Sequence, residues 1–180
     1  MADQGSEGLL SPWLRRLRIQ AARPYLRGRV LDVGCGSGAL AQHCRPESYI
    51  GYDIDRESLL IARRESARYR FVEEPPHGDR FDTVVALAVI EHLPEPGEAL
   101  KAWRTFLAPG GRIVLTTPHP SVDWIHHLGA RVGLFSRHGY EEHEELINLI
   151  AMRRLASEAE LSIELHRRFL FGANQLFVLA

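Results

Sequence analysis

Cysteine is nearly absent from this 180-residue sequence: Cys35 and Cys44 are the only two. With no second pair at metal-ligand spacing, a disulfide framework and a cysteine-built zinc site are excluded, and a reducing, cytoplasmic setting is expected. Long apolar runs are missing too. None approaches the roughly 18 residues that a membrane span requires, and residues 1–8 are polar and acidic rather than basic and then apolar, so neither a span nor a leader is expected. Charge of one sign is also lacking. The 22 basic and 23 acidic residues leave a formal net charge of −1, mixed along the chain. That is not the footprint of a polyanion partner, and no nucleic acid is expected. There is no internal repeat and no low-complexity tract.

What is present suits a single compact domain, with 45% hydrophobic and 25% charged residues. A chain of this length buries roughly two-thirds of its unfolded surface, so it needs no staple to stay folded. Unusual residues are therefore to be explained by function.

Leu10, Trp13, Leu14, Leu17 and Ala21 recur at near-helical spacing, with Arg15, Arg16 and Arg18 mainly between them. The pattern predicts an amphipathic helix over residues 9–26, packed on an edge of a sheet. From Arg29 onward short apolar runs alternate with helical patterns: Val30–Val33 then Ala39–Cys44, Tyr49–Tyr52 then Arg56–Ala67, Phe71–Val72, Thr83–Val89 then Glu95–Leu107, and Ile113–Thr116. This alternation predicts an α/β fold, doubly wound on a mostly parallel sheet, with ligands at the carboxyl ends of the strands. Residues 118–140 break the pattern and read as an inserted lid or substrate segment. A helix over Glu141–Ala159 follows, then strands Ser162–Leu170 and Gln175–Leu179, joined by a tight antiparallel return at Gly172 and Asn174.

The first strand carries Asp32 and runs into Gly34-Cys35-Gly36-Ser37-Gly38. Glycines there let the backbone turn sharply and come close to a ligand. Fifteen residues past Gly38, the second strand ends in Asp53, a carboxylate that could accept both hydroxyls of a ribose. Capping of the next helix falls better to Asp55.

With Val30-Leu31-Asp32-Val33-Gly34-Cys35-Gly36-Ser37-Gly38, Gly51-Tyr52-Asp53, Phe81-Asp82-Thr83-Val84-Val85, Glu91-His92-Leu93 and Leu107-Ala108-Pro109-Gly110-Gly111, the chain resembles the class I S-adenosylmethionine (SAM)-dependent methyltransferases, in particular their small-molecule, type 11 branch. The resemblance implies one methyltransferase domain over residues 1–180 and a seven-stranded, Rossmann-like sheet whose last strand is antiparallel. It implies SAM as cofactor, with S-adenosylhomocysteine (SAH) as product. Asp32 and the backbone of Gly34, Cys35 and Gly36 would hold the methionine end, Asp53 the ribose, and Glu73 or Glu74 the adenine amine. Leu87, Ala88 and Val89 would line the pocket around the sulfonium and adenine.

The acceptor side is less defined. His92, at the end of the fourth strand, and His119, after the fifth, are the candidate proton acceptors for an oxygen nucleophile. Trp124, Phe135 and Tyr140 could wall a small or lipid-like acceptor. Glu91-His92, Thr116-Thr117-Pro118 and the later histidines also resemble the metal-dependent RNA 2′-O-methyltransferases, in which a glutamate stands three residues before the Glu-His pair. Ala88 occupies that position, and no metal is expected. A non-catalytic SAM-binding module is the other alternative. A nicotinamide oxidoreductase would leave Pro109-Gly110-Gly111 and Glu91-His92 unexplained.

Overall fold

The computed structural model describes residues 11–120 and 147–180. Most of the expected insert, and the first residues of the helix expected from Glu141, lie outside them. Eleven elements follow in order: α1 (Ser11–Ala22), β1 (Val30–Val33), β2 (Tyr49–Tyr52), α2 (Arg56–Glu65), β3 (Arg70–Val72), β4 (Phe81–Leu87), α3 (Pro96–Arg104), β5 (Leu107–Pro118), α4 (Leu149–Glu158), β6 (Ile163–Phe169) and β7 (Asn174–Leu179).

The strands form one sheet in the order β3-β2-β1-β4-β5-β7-β6. β1 to β5 run parallel, and β7 lies antiparallel between β5 and β6. All seven strands read from the sequence are present, with the antiparallel return where the resemblance places it.

Alternation along each strand divides the apolar side chains between two faces. Leu31, Val33, Val84, Ala86, Ile113, Leu115, Phe177 and Leu179 pack with Leu100 and Trp103 of α3 and Met152 of α4. Val30, Val85, Val114, Leu176 and Val178 pack with Ile19 and Ala22 of α1, Leu59 of α2, Tyr49 and Phe71. Both faces are covered, as a largely parallel sheet requires.

Two expectations need correction. The helix over Ala39–Cys44 is only a single 3-10 turn, Ala41–His43. Pro46 follows at once, the residue before it is extended, and so short a segment cannot repay helix nucleation. Nor does α1 pack on a sheet edge: the edges are β3 and β6, whereas α1 meets β4 and β5 near the middle. Burial of Ile19 and Ala22 against the central strands draws it there.

Leu115 is fully buried on the central strand β5. Leu115→Ala should destabilise the fold by about 2–5 kcal/mol through lost burial and a residual cavity, read as a lower midpoint in urea.

Candidate functional site

Strand order reverses at β1, which pairs with β2 on one side and β4 on the other. A ligand crevice is expected at the carboxyl ends of strands on either side of such a reversal. A cavity of about 600 Å³ opens there. It is lined by Asp32, Gly34, Cys35, Gly36, Ser37 and Leu87, with Arg15 and Ile19 of α1 and Ser58 and Ile61 of α2.

The loop after β1 is tied to the tip of β2. Gly34 and Cys35 donate their N–H groups to the Tyr52 carbonyl at 2.9 and 3.1 Å. Gly36 N–H donates to Asp53 Oδ2 at 2.7 Å. The amides of Gly34, Cys35 and Gly36, expected to hold the methionine end, are thus engaged within the protein. Gly34 (φ +67°) and Gly36 (φ +51°) both take left-handed backbone. They differ in surroundings. A Cβ at Gly34 would lie 2.5 Å from Val89 Cγ2, whereas one at Gly36 would meet nothing within 4 Å. Open space beside a cavity-lining glycine is what a cradle for a ligand requires.

Asp32 is 3% exposed, and its Oδ2 accepts a 2.7 Å hydrogen bond from the Tyr49 hydroxyl. Burial pushes its carboxyl up to about 7, against the Tyr49 hydrogen bond, and the negative charge of Asp53 adds to the rise. Among the described residues no cation is placed against this carboxylate. Asp53 Oδ1 accepts from Asp55 N–H at 2.9 Å. Each Asp53 oxygen keeps a second lone pair, so capacity for two ribose hydroxyls remains. Asp55 caps α2, accepting from Glu57 N–H and Ser58 N–H. Cys35 is half-buried, and burial pushes its thiol upward, which argues against a nucleophile.

The other candidates divide. Leu87 lines the cavity. Ala88, just beyond it, holds φ +58° and donates its N–H to the Thr116 carbonyl at 2.9 Å. Glu73 and Glu74 are not among the cavity's lining residues. Glu73 is paired with Arg56 Nε at 2.9 Å and Arg63 Nη1 at 3.5 Å, and both glutamates flank a shallow depression with Pro75 and His77.

His92 ends the 3-10 turn after β4 and is exposed. His119 follows β5. Its Nδ1 lies 3.1 Å from Arg168 Nη2, and burial, then the charges of Arg168 and His166, lower its pKa. A guanidinium can only donate, so Nδ1 is the acceptor and the neutral ring carries its proton on Nε2. Among the described residues no three His, Cys, Asp or Glu side chains gather where they could hold a metal. His126, His127, His138 and His143 lie outside the described residues.

Arg15 of α1 lines the cavity and was missed in the sequence, as was the reach of Arg18 to β7. Arg15 Nη1 reaches Ser37 Oγ at 3.4 Å, across 22 residues. Arg18 Nε donates to Asn174 Oδ1 at 3.0 Å, across 156. Their spacing of three did place them side by side on one helix face. Nothing local said what that face would meet.

The two loop glycines should separate by substitution. Gly36→Ala should cost about 1–2 kcal/mol for left-handed backbone alone, whereas Gly34→Ala adds the clash with Val89, a further ~1–3 kcal/mol. Thermal unfolding of the two variants measures the difference.

Residues 7–166 match a family model described as a methyltransferase domain. A ubiquinone biosynthesis O-methyltransferase of Alkalilimnicola ehrlichii is 33% identical over 148 residues, 74% of this chain and 60% of that protein. The protein of the same name from Aeromonas salmonicida is 27% identical over 150 residues, 75% of this chain and 63% of that one. The chain thus spans less than two-thirds of the length of these relatives. A magnesium protoporphyrin IX methyltransferase from Synechocystis, solved with bound SAH, superposes with a TM-score of 0.72 at 17% identity, over 98% of this chain and 89% of that one. That likeness is one of fold. The family match runs from α1 through the glycine loop, the acid of β2 and the turn into β5, and the chain belongs to the class I SAM-dependent methyltransferase family.

Proposed function

We propose that this chain binds SAM in the cavity at the tips of β1 and β4 and transfers its methyl group to an oxygen of a small molecule. The observation that carries the reading is Asp32, a buried carboxylate short of positive charge beside a cradle left open at Gly36. The ammonium group of a bound methionine end would supply the missing charge. Arg15, on the same wall, brings a positive charge to the side where its carboxylate would lie. Asp53 keeps lone pairs for the ribose, and Leu87 offers an apolar surface toward the sulfonium and adenine.

SAM supplies a methyl carbon already activated by its bond to a positive sulfur. The protein's own work is then to align the acceptor, exclude water and take up a proton. Oxygen as the receiving atom is supported by the relatives named O-methyltransferases. A small acceptor is supported by the balanced charge of the chain. His92 and His119 stand at the tips of β4 and β5, on the side where that acceptor would enter.

Isothermal calorimetry with SAM and SAH tests the cofactor site. Micromolar binding is expected for the wild type, with at least a tenfold loss in Asp53→Ala and in Arg15→Ala. No binding by the wild type, or undiminished binding by Asp53→Ala, would sink the reading.

A pH series adds a second check. Asp32 ionises near pH 7 in this fold, and a cationic ligand favours the ionised form. Affinity should therefore rise up to about tenfold per unit as pH climbs from below 6 toward 7, then level off. Asp32→Asn should bind more weakly and flatten that profile. Mass spectrometry of cell extract, seeking a species that gains one methyl group only when chain and SAM are both present, would identify the acceptor.

A further inference from the structure

The chain has a second cavity, at the end of the sheet away from the cofactor. β1, β2 and β4 are parallel, so the residues just before Val30, Tyr49 and Phe81 gather at one end, opposite the strand tips that form the cofactor cavity. A depression of about 610 Å³ lies there, lined by Leu26, Arg27, Val30, His43, Arg45 and Ser48 among others. It shares no lining residue with the cofactor cavity.

Its two walls are held from the interior. The Arg27 N–H donates to Thr83 Oγ1 at 2.9 Å, and the Thr83 hydroxyl donates back to the Arg27 carbonyl at 3.0 Å. Thr83 itself is fully buried. On the other wall the Arg45 carbonyl accepts from Ser48 N–H at 3.0 Å and from Ser48 Oγ at 3.1 Å, while the Cys44 carbonyl accepts from the hydroxyl of buried Tyr69 at 3.2 Å. Anchored backbone fixes where the two long side chains start, which lowers the cost of converging on a ligand.

Charge in the depression is mainly of one sign. Arg29 is spent, with Nη2 paired to Asp79 at 2.9 Å and its backbone N–H donated to Asp82 Oδ2 at 2.7 Å. Asp82 is the one acid among the lining residues. Glu47, in the same loop as Arg45, does not pair with it. Among the described residues the guanidinium groups of Arg23, Arg27 and Arg45 make no ion pair and no hydrogen bond. Burial lowers the pKa of His43, and the charge of Arg23 lowers it further. Three uncommitted arginines thus border a floor whose apolar part is Leu26 and Val30.

We propose that this depression is a second ligand site, which takes the phosphate ester of a small organic molecule on Arg23, Arg27 and Arg45. Phosphate suits it better than carboxylate does. A carboxylate is satisfied by one guanidinium, whereas a phosphate monoester carries about −1.5 to −2 charge on three strongly accepting oxygens and calls for several. Leu26 and Val30 would meet the carbon body of the ester. Duplex nucleic acid is disfavoured by the concave shape and by the balanced charge of the chain.

Glycerol 3-phosphate is the soluble probe, and phosphatidylcholine vesicles with and without phosphatidic acid present the same phosphate group on a membrane. Succinate controls for charge alone. Calorimetry on SAH-saturated protein reads the soluble ligands and co-sedimentation the vesicles. Wild type is compared with Arg27→Ala, Arg45→Ala and Arg153→Ala, the last removing an exposed arginine of α4 outside the depression. Glycerol 3-phosphate should bind the wild type and lose at least about tenfold in affinity with either of the first two substitutions, the worth of one charge-assisted hydrogen bond. Arg27→Lys keeps the charge without the planar fork and should lose less. Arg153→Ala should match the wild type, and SAH binding should be unchanged in every variant. The His43 ring, followed by NMR, should titrate at higher pH with ligand bound, because a nearby anion favours its charged form. Retention on phosphatidic acid vesicles alone, with the same arginine dependence, supports the site and names a lipid as the source of the phosphate.

No binding of the wild type to either phosphate probe would overturn the proposal. So would binding that survives both Arg27→Ala and Arg45→Ala, equal loss with Arg153→Ala, succinate held as tightly as the phosphate, or a His43 titration that the ligand leaves in place. Should the wild type bind no SAH, the cofactor reading falls, and the same titrations run without SAH still decide this proposal.

Discussion

The docking of the glycine loop onto the tip of β2 is the constraint from which the rest of the site follows. One carbonyl, that of Tyr52, takes the amides of both Gly34 and Cys35, and Asp53 takes that of Gly36. The chain can make these bonds only by reversing through left-handed backbone, which is why glycine stands at 34 and 36. Close approach matters on the other side too. A Cβ on Gly51 would lie 2.7 Å from the Phe71 ring and 2.9 Å from the Cys35 sulfur. With the loop held down, Asp32 stays dry beneath it and the space above Gly36 stays open.

Asp32 shapes the cofactor side of the cleft. It accepts from Tyr49, and among the described residues no cation faces it. Keeping such a group out of water is expensive unless a ligand repays it, so its placement belongs to function more than to stability.

Helix α1 closes this arrangement from above. Read along the chain, it is an ordinary amphipathic helix. Its apolar stripe was legible from spacing, and its packing partner was not, because Ile19 and Ala22 bury against strands that fold from distant sequence. The same helix brings Arg15 to the glycine loop and Arg18 to β7. Glu73, expected with Glu74 to meet the adenine amine, is paired with arginines of α2, which the sequence did not foretell.

Local rules were enough for the seven strands, for the sharp turns of the glycine loop and for the Asp55 cap. Period, glycine and capping residues each act over a few neighbouring positions, so the sequence alone determined them. The family's characteristic loop and turn came from the same short stretches. What tertiary structure decided was of another kind. The charge state of Asp32, the burial of Glu91, the proton position on His119 and the reach of α1 all depend on burial and on partners tens to more than a hundred residues away. Desolvation is a property of the assembled interior, and no single segment of the chain carries it.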